Sequence, residues 1–213
     1  MSRHIRRKTY ELVLYALFVA ITAVLGLTPL GFIPLIVSIT TTHMPVIIGG
    51  YSLGAKGGAV LGSVFGLTSL IQCFRNPVDI TAQLMLGKST GGFGLYNLFL
   101  IVAIIFLPRI LCGVFSALTY KGISKLDKSQ VGAMGIAAFV GSMTNTIFYL
   151  GGLYLFAFDT MSAAYGVSTY GALLKIILGV VGFNGLIEAV AAVIICTAVG
   201  KAISVARSKG FIQ

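Results

Sequence analysis

Apolar stretches long enough to cross a bilayer alternate with small clusters of basic residues, and that alternation leaves this chain very few architectures. Hydrocarbon about 30 Å thick needs roughly 20 apolar helical residues to span it. Inside it every backbone N–H and C=O must be satisfied within the protein, which admits only helices and closed barrels. A barrel needs polar and apolar residues to alternate with period 2, and the chain has no such pattern. Only 9% of its side chains are charged and its mean hydropathy is +1.01, too little polar surface to coat a water-soluble globule of 213 residues. The expected fold is an all-α membrane protein, a single integral membrane domain over residues 1–213.

Six spans are predicted, at about residues 10–27, 43–55, 57–74, 96–120, 131–157 and 172–200. Arg3, Arg6, Arg7 and Lys8 precede the first, Lys56 separates the second from the third, Lys121, Lys125 and Lys128 follow the fourth, and Lys201, Arg207 and Lys209 follow the last. With both termini cytoplasmic, those segments carry eleven of the fifteen basic residues, as the positive-inside bias requires. One span more or fewer would move the Lys121 group or the C-terminal group outside. The first apolar run follows a basic segment as a signal peptide would, but no small-x-small site and polar mature sequence come after it, so it is expected to be a retained helix. The net charge of +10 borders membrane spans, where anionic lipid explains it and no nucleic acid is required.

Between the first two spans, Pro29 to Thr42 is apolar, with prolines and then three threonines, and is expected to form an ordered loop folded into the outer mouth. Two further outer loops, 75–95 and 158–171, are long where the inner links are tight, and long loops of mixed chemistry commonly cover sites. No internal repeat supports an inverted-repeat transporter. Gly54, Gly58, Gly62 and Gly66 fall four apart, a face on which another backbone approaches closely. Ala16 and Ala20, with Ala23 nearby, give the first helix a second smooth face. It fits either the protein's own bundle or a different membrane protein.

Ionisable groups at membrane depth are unfavourable and mark function. Arg109 lies 12 residues before Lys121 and Glu188 lies 13 before Lys201, so both are expected roughly 18–20 Å above the cytoplasmic boundary. Asn145 and Asn184 share that level, and Thr144, Thr146 and Tyr149 add hydroxyls. Two accounts stand. Arg109 and Glu188 form a structural ion pair, or Arg109 offers its planar fork to a ligand carboxylate while Glu188 holds the guanidinium or accepts from a ligand hydroxyl.

His43, beside Thr40, Thr41 and Thr42, is a helix-entrance hydrogen-bonding residue or a ligand contact. Two histidines 39 residues apart and three scattered cysteines, Cys73, Cys112 and Cys196, offer no metal-ligand set, and neither a metal nor a cofactor is expected. The cysteines read as small apolar packers. Without tryptophan the ligand is biased toward an aliphatic, hydrogen-bonding molecule rather than a flat aromatic one.

The stretch from Thr40 to Leu70, TTTHMPVIIGGYSLGAKGGAVLGSVFGLTSL, following the small-residue helix ALFVAITAV, resembles the substrate-binding S components of energy-coupling factor (ECF) vitamin transporters, and within them the pantothenate-type members. The resemblance implies a six-helix subunit that binds a vitamin at its outer half, docks on a module of one transmembrane subunit and two cytoplasmic ATPases, and delivers cargo by toppling in the bilayer. It further implies docking through small residues of helix 1, which fits Ala16, Ala20 and Ala23, and a loop after that helix that covers the site. No GxxxxGK[ST] motif occurs, so the sequence shows no phosphate-binding loop of its own.

Pantothenate carries a carboxylate, an amide and two hydroxyls, and its site should offer one cation among neutral hydrogen-bonding groups. Arg109, Asn145, Asn184 and Tyr149, with Thr42 or His43 from above, meet that list. For a site nearer the surface Arg75 or Lys88 would supply the cation and Asn97 would gain weight. Folate and riboflavin remain alternative vitamins. A membrane-embedded enzyme would need a nucleophile and base at one depth, or clustered carboxylates, and finds neither in Asp79, Asp159, Glu188 and His43. A passive channel differs from a binding subunit in whether the purified protein holds a small ligand.

Overall fold

The computed structural model describes residues 3–34, 38–76, 80–87, 91–127 and 129–208, and these are helical almost throughout. Among the described residues, five helices are long and apolar enough to cross a membrane: Thr9–Leu27, His43–Arg75, Leu95–Ile123, Val131–Phe156 and Tyr170–Ser208. Leu12, Val13, Leu17, Leu118, Ile147, Leu178 and Ile194 all project outward, as side chains facing lipid do. The protein is a multi-pass membrane protein.

Helix α1 (Arg3–Leu27) ends in a 3₁₀ turn at Pro29–Gly31 and an antiparallel hairpin, β1 (Phe32–Pro34) and β2 (Ser38–Thr40), with Phe32 opposite Thr40 and Ile33 opposite Ile39. The order continues with α2 (His43–Arg75), α3 (Ile80–Met85), α4 (Leu95–Leu100), a π-helical turn at Ile101–Phe106, α5 (Leu107–Ile123) and α6 (Val131–Phe156). It closes with α7 (Phe158–Tyr165), α8 (Tyr170–Val180), a second π-helical turn at Val181–Gly185, and α9 (Leu186–Ser208). Three expectations are corrected here. The stretch after helix 1 contains a strand pair, the presumed loops 75–95 and 158–171 each contain a short helix, and the last helical element runs from 170 to 208 rather than 172 to 200.

Where two spans were expected over 43–74, one helical element stands, broken at Gly54, whose φ of 79° and ψ of −178° only glycine adopts readily. A straight helix would hold Gly49 and Leu61 about 18 Å apart. Instead a Cβ on Gly49 would collide with the Leu61 side chain, and Gly50 and Gly58 both press on the backbone carbonyl of Gly113. The chain therefore doubles back at Gly54, giving α2 two antiparallel arms with exposed Lys56 just beyond the reversal.

The glycine spacing makes its contacts inside the bundle. Gly58 meets the Gly113 backbone, Gly62 the backbone of Arg109 and Ile110, and Gly66 the ring of Phe106, so α2 and α5 run backbone against backbone. Around this seam lies an apolar core that includes Leu14, Phe18, Val46, Ile47, Leu61, Cys112, Met134, Ala192 and Cys196. A second core, with Leu84, Met85, Leu100, Ile104, Leu153, Met161 and Leu173, joins the short helices to the far ends of α6 and α8.

The beginning of α1 and the last turns of α9 meet at one end of the bundle, where the Arg207 guanidinium sits 5.4 Å from the ring centroid of Tyr10. At that end Lys201 Nζ donates to the Ser129 carbonyl at 2.9 Å and the Tyr120 hydroxyl donates to Gln130 Oε1 at 3.1 Å, tying α9 and α5 to the start of α6. Asp127 begins α6. Its carboxylate accepts the Ala133 N–H at 2.9 Å, the Ser129 N–H at 2.9 Å and the Ser129 hydroxyl at 2.7 Å, and these bonds, the Ala133 one foremost, hold its pKa below the usual carboxylate value.

Candidate functional site

At the opposite end the helices part around a cavity of about 820 Å³, within the range of small-molecule sites. Its walls are the last turns of α1 and α2, Thr40 at the end of the hairpin, Thr42 just before α2, and the facing surfaces of α5, α6 and α9.

Arg109 forms the floor. Its position follows from Gly62, which lets the α2 backbone touch the Arg109 carbonyl and so fixes where the side chain leaves α5. The preceding π-helical turn turns a carbonyl toward it, and Arg109 Nη1 donates to Ile104 O at 2.7 Å. The guanidinium lies 4.5 Å from the ring centroid of Tyr149 and 5.4 Å from that of Phe65. Aromatic faces stabilise a cation taken out of water. The Tyr149 hydroxyl lies 2.7 Å from Thr81 Oγ1, which steadies the ring beneath the charge.

Arg109 is only 9% exposed, and its Nε has no protein partner. Asn145 Oδ1 and Thr42 Oγ1 on the same cavity are likewise buried and unpartnered. Buried polar atoms are almost always hydrogen-bonded. The residues that carry this spare donor, acceptor and hydroxyl all line one cavity, which gathers polar groups at a single place in an apolar bundle.

Glu188 also lines the cavity, but it does not pair with Arg109. Its Oε1 accepts the Thr40 N–H at 2.8 Å, and among the described residues no ion pair joins it to the guanidinium. Both the structural ion pair and the idea that Glu188 holds the guanidinium are corrected. The side chain reaches the hairpin instead.

Six of the eight residues expected at the site, Arg109, Asn145, Asn184, Tyr149, Glu188 and Thr42, line one cavity. His43 and Asn97 do not. His43 is 1% exposed within the bundle, and Asn97 spends its amide locally, donating to Leu84 O at 2.9 Å and accepting the Gly94 N–H at 2.9 Å. Arg75 is on the rim, where Nη1 donates to Leu27 O at 2.9 Å, and Lys88 lies outside the described residues. The sequence reading missed Ser69, Gln72, Asn76 and Thr81. Ser69, Gln72 and Asn76 recur at helical spacing at the end of α2, a faint signal because polar residues are ordinary at a helix end. Gln72 Nε2 donates to Gly26 O at 2.9 Å, closing α1 against α2.

On α1, Ala16 and Ala20 are exposed and Ala23 is half-buried, on a surface shared with exposed Leu12, Val13, Leu17 and Val24. Among the described residues, no group of three or more His, Cys, Asp or Glu side chains could hold a metal ion.

Known proteins resemble this chain across nearly its whole length. The family described as "ECF transporter, substrate-specific component" matches residues 10–200. The Pantothenic acid transporter PanT of Lactococcus lactis subsp. cremoris (strain MG1363) is 32% identical over 212 residues, 95% of this chain and 98% of the relative. The Pantothenate transporter PanT of Leuconostoc mesenteroides subsp. mesenteroides is 28% identical over 203 residues, 91% of this chain and 92% of the relative.

Proposed function

The chain belongs to the family of ECF transporter substrate-specific components, and on that premise we propose that it captures pantothenate in the cavity between α2, α5, α6 and α9. One observation carries the reading: Arg109, a cation buried in the bundle, lines the same cavity as the neutral hydrogen-bonding residues Asn145, Asn184, Thr42 and Tyr149. The cation meets the vitamin's carboxylate. Asn145, Asn184, Thr42 and the Tyr149 hydroxyl take up the amide and the two hydroxyls. Low dielectric strengthens each of these contacts, and a charge-assisted bond to a guanidinium is roughly twice as strong as a neutral one. The names of two relatives support the choice of vitamin. His43 and Asn97, away from the cavity, support the surrounding packing and do not touch the ligand.

The two arms of α2 count as separate passages in this reading, which makes six with both termini cytoplasmic. The first arm, residues 43–53, is about 16 Å long, and the hairpin before it completes the passage. The basic residues at the end bearing the termini then face the cytoplasm. The protein works as a binding subunit and not as an enzyme. Its energy comes from a module of one transmembrane subunit and two ATPases, which it meets through Ala16, Ala20 and Ala23 on the outward side of α1.

The experiment is a titration of the purified, detergent-solubilised chain with pantothenate, folate and riboflavin. Saturable binding of pantothenate alone is expected. Preference for folate or riboflavin would replace the substrate, and binding of none would remove the reading.

A further inference from the structure

The hydrogen bond between Thr40 and Glu188 joins positions 148 residues apart and connects the hairpin to α9 across the cavity. Both ends of this bond line the cavity. Among the described residues, the neighbouring bonds are local: Thr41 N–H donates to Gly31 O at 2.9 Å, the Thr41 hydroxyl donates to Leu30 O at 3.1 Å, and Thr40 stands opposite Phe32. The end of α1 is tied separately to α2 through Gln72 and Arg75. Glu188 is thus the described side chain that fastens the hairpin's returning strand to the far wall.

We infer that Glu188 is a positioning residue, whose carboxylate holds the Thr40 backbone against α9 across the cavity and so sets how long a ligand stays in it. This rests on the reading that the cavity binds pantothenate. Accepting the Thr40 N–H commits Oε1 to the hairpin backbone, so that oxygen is not free to accept from a ligand. Backbone-to-carboxylate bonds are among the stronger protein hydrogen bonds, and in a half-buried place they resist exchange with water.

Two measurements on the full chain in nanodiscs test it. In the first, hydrogen–deuterium exchange over residues 38–42 is followed without ligand. Glu188→Ala should speed exchange at Thr40, and Glu188→Gln, which keeps an acceptor oxygen, should restore most of the protection. Unchanged exchange in Glu188→Ala overturns the inference whatever the cavity binds. In the second, labelled pantothenate is chased with unlabelled vitamin. Glu188→Ala and Thr40→Pro, which deletes the donor at a strand position compatible with proline, should each raise the dissociation rate about tenfold with the association rate unchanged, and together do no more than either alone.

A faster rate in Glu188→Ala with none in Thr40→Pro would mean that Glu188 touches the ligand directly, and the inference falls. Faster exchange with unaltered dissociation also overturns it. A wild-type chain that binds no pantothenate defeats the substrate reading and the claim about residence, while the exchange measurement still decides whether the tether exists.

Discussion

The α2–α5 pair is two different interfaces along one line. Toward the termini, Gly50, Gly58 and Gly62 bring the backbones of the two helices into contact at Gly113 and Arg109. Toward the cavity, the same helices present Phe65, Ser69 and Gln72 on one side and Arg109 and Ile105 on the other, and draw apart. Arg109 belongs to both, with its carbonyl against Gly62 and its guanidinium in the cavity. A long cationic side chain can be aimed only if its Cα cannot shift, and backbone-on-backbone packing supplies that constraint. The closed half makes the open half accurate.

The severest way to break this division is Gly113→Leu. Any Cβ there meets the Gly58 backbone, which no rotamer change can relieve, so the helices must separate. No monodisperse protein should survive size-exclusion chromatography. Arg109→Ala is expected to spare folding and lower pantothenate affinity by about a hundredfold, read by titration, because it removes only the charge in the open half. Arg109→Lys should recover little of that loss, since an ammonium lacks the planar fork.

Ala16→Trp or Ala20→Trp separates a third region from both. These residues face outward, and the bulky ring should stop uptake by the complete transporter while binding to the isolated chain persists. Loss of both activities would mean the ring disturbs the bundle, and loss of neither would place docking elsewhere. The smallest effect belongs to Asp127 at the closed end. Its folded pKa is depressed, so its contribution to stability is complete above the ordinary carboxylate range and disappears as pH falls through the depressed value. Between pH 6 and pH 3 the thermal midpoint of Asp127→Asn should fall less than that of the wild type, with pantothenate affinity at pH 7 unchanged.

Much of this plan is legible in the sequence because lipid simplifies the rules. Buried charge and polarity stand out against apolar spans, so Arg109, Asn145, Asn184 and Glu188 could be placed on one cavity from depth alone. Depth does not say which way a side chain turns. Asn97 is as buried as any of them and serves Leu84 and Gly94, and Glu188 bonds to the hairpin rather than to the cation at its own level. Near the mouth the polar signal fades, since Ser69, Gln72 and Thr81 sit where polar residues are ordinary at helix ends. The reversal at Gly54 was readable as a helix boundary beside Lys56. The strand pair was not, because an apolar run with a proline and β-branched residues suits an extended loop equally well.

The π-helical turns at Ile101–Phe106 and Val181–Gly185 act as phase shifters. One surplus residue in a helix advances everything beyond it by about 100°. Residues on the two sides of each turn are therefore decoupled in azimuth: the sequence nearer the mouth can be rewritten to suit a different cargo without rotating the half that is clamped. Deleting a single residue from either turn would swing one half of that helix by more than a quarter revolution, exchanging its lipid-facing and inward-facing side chains.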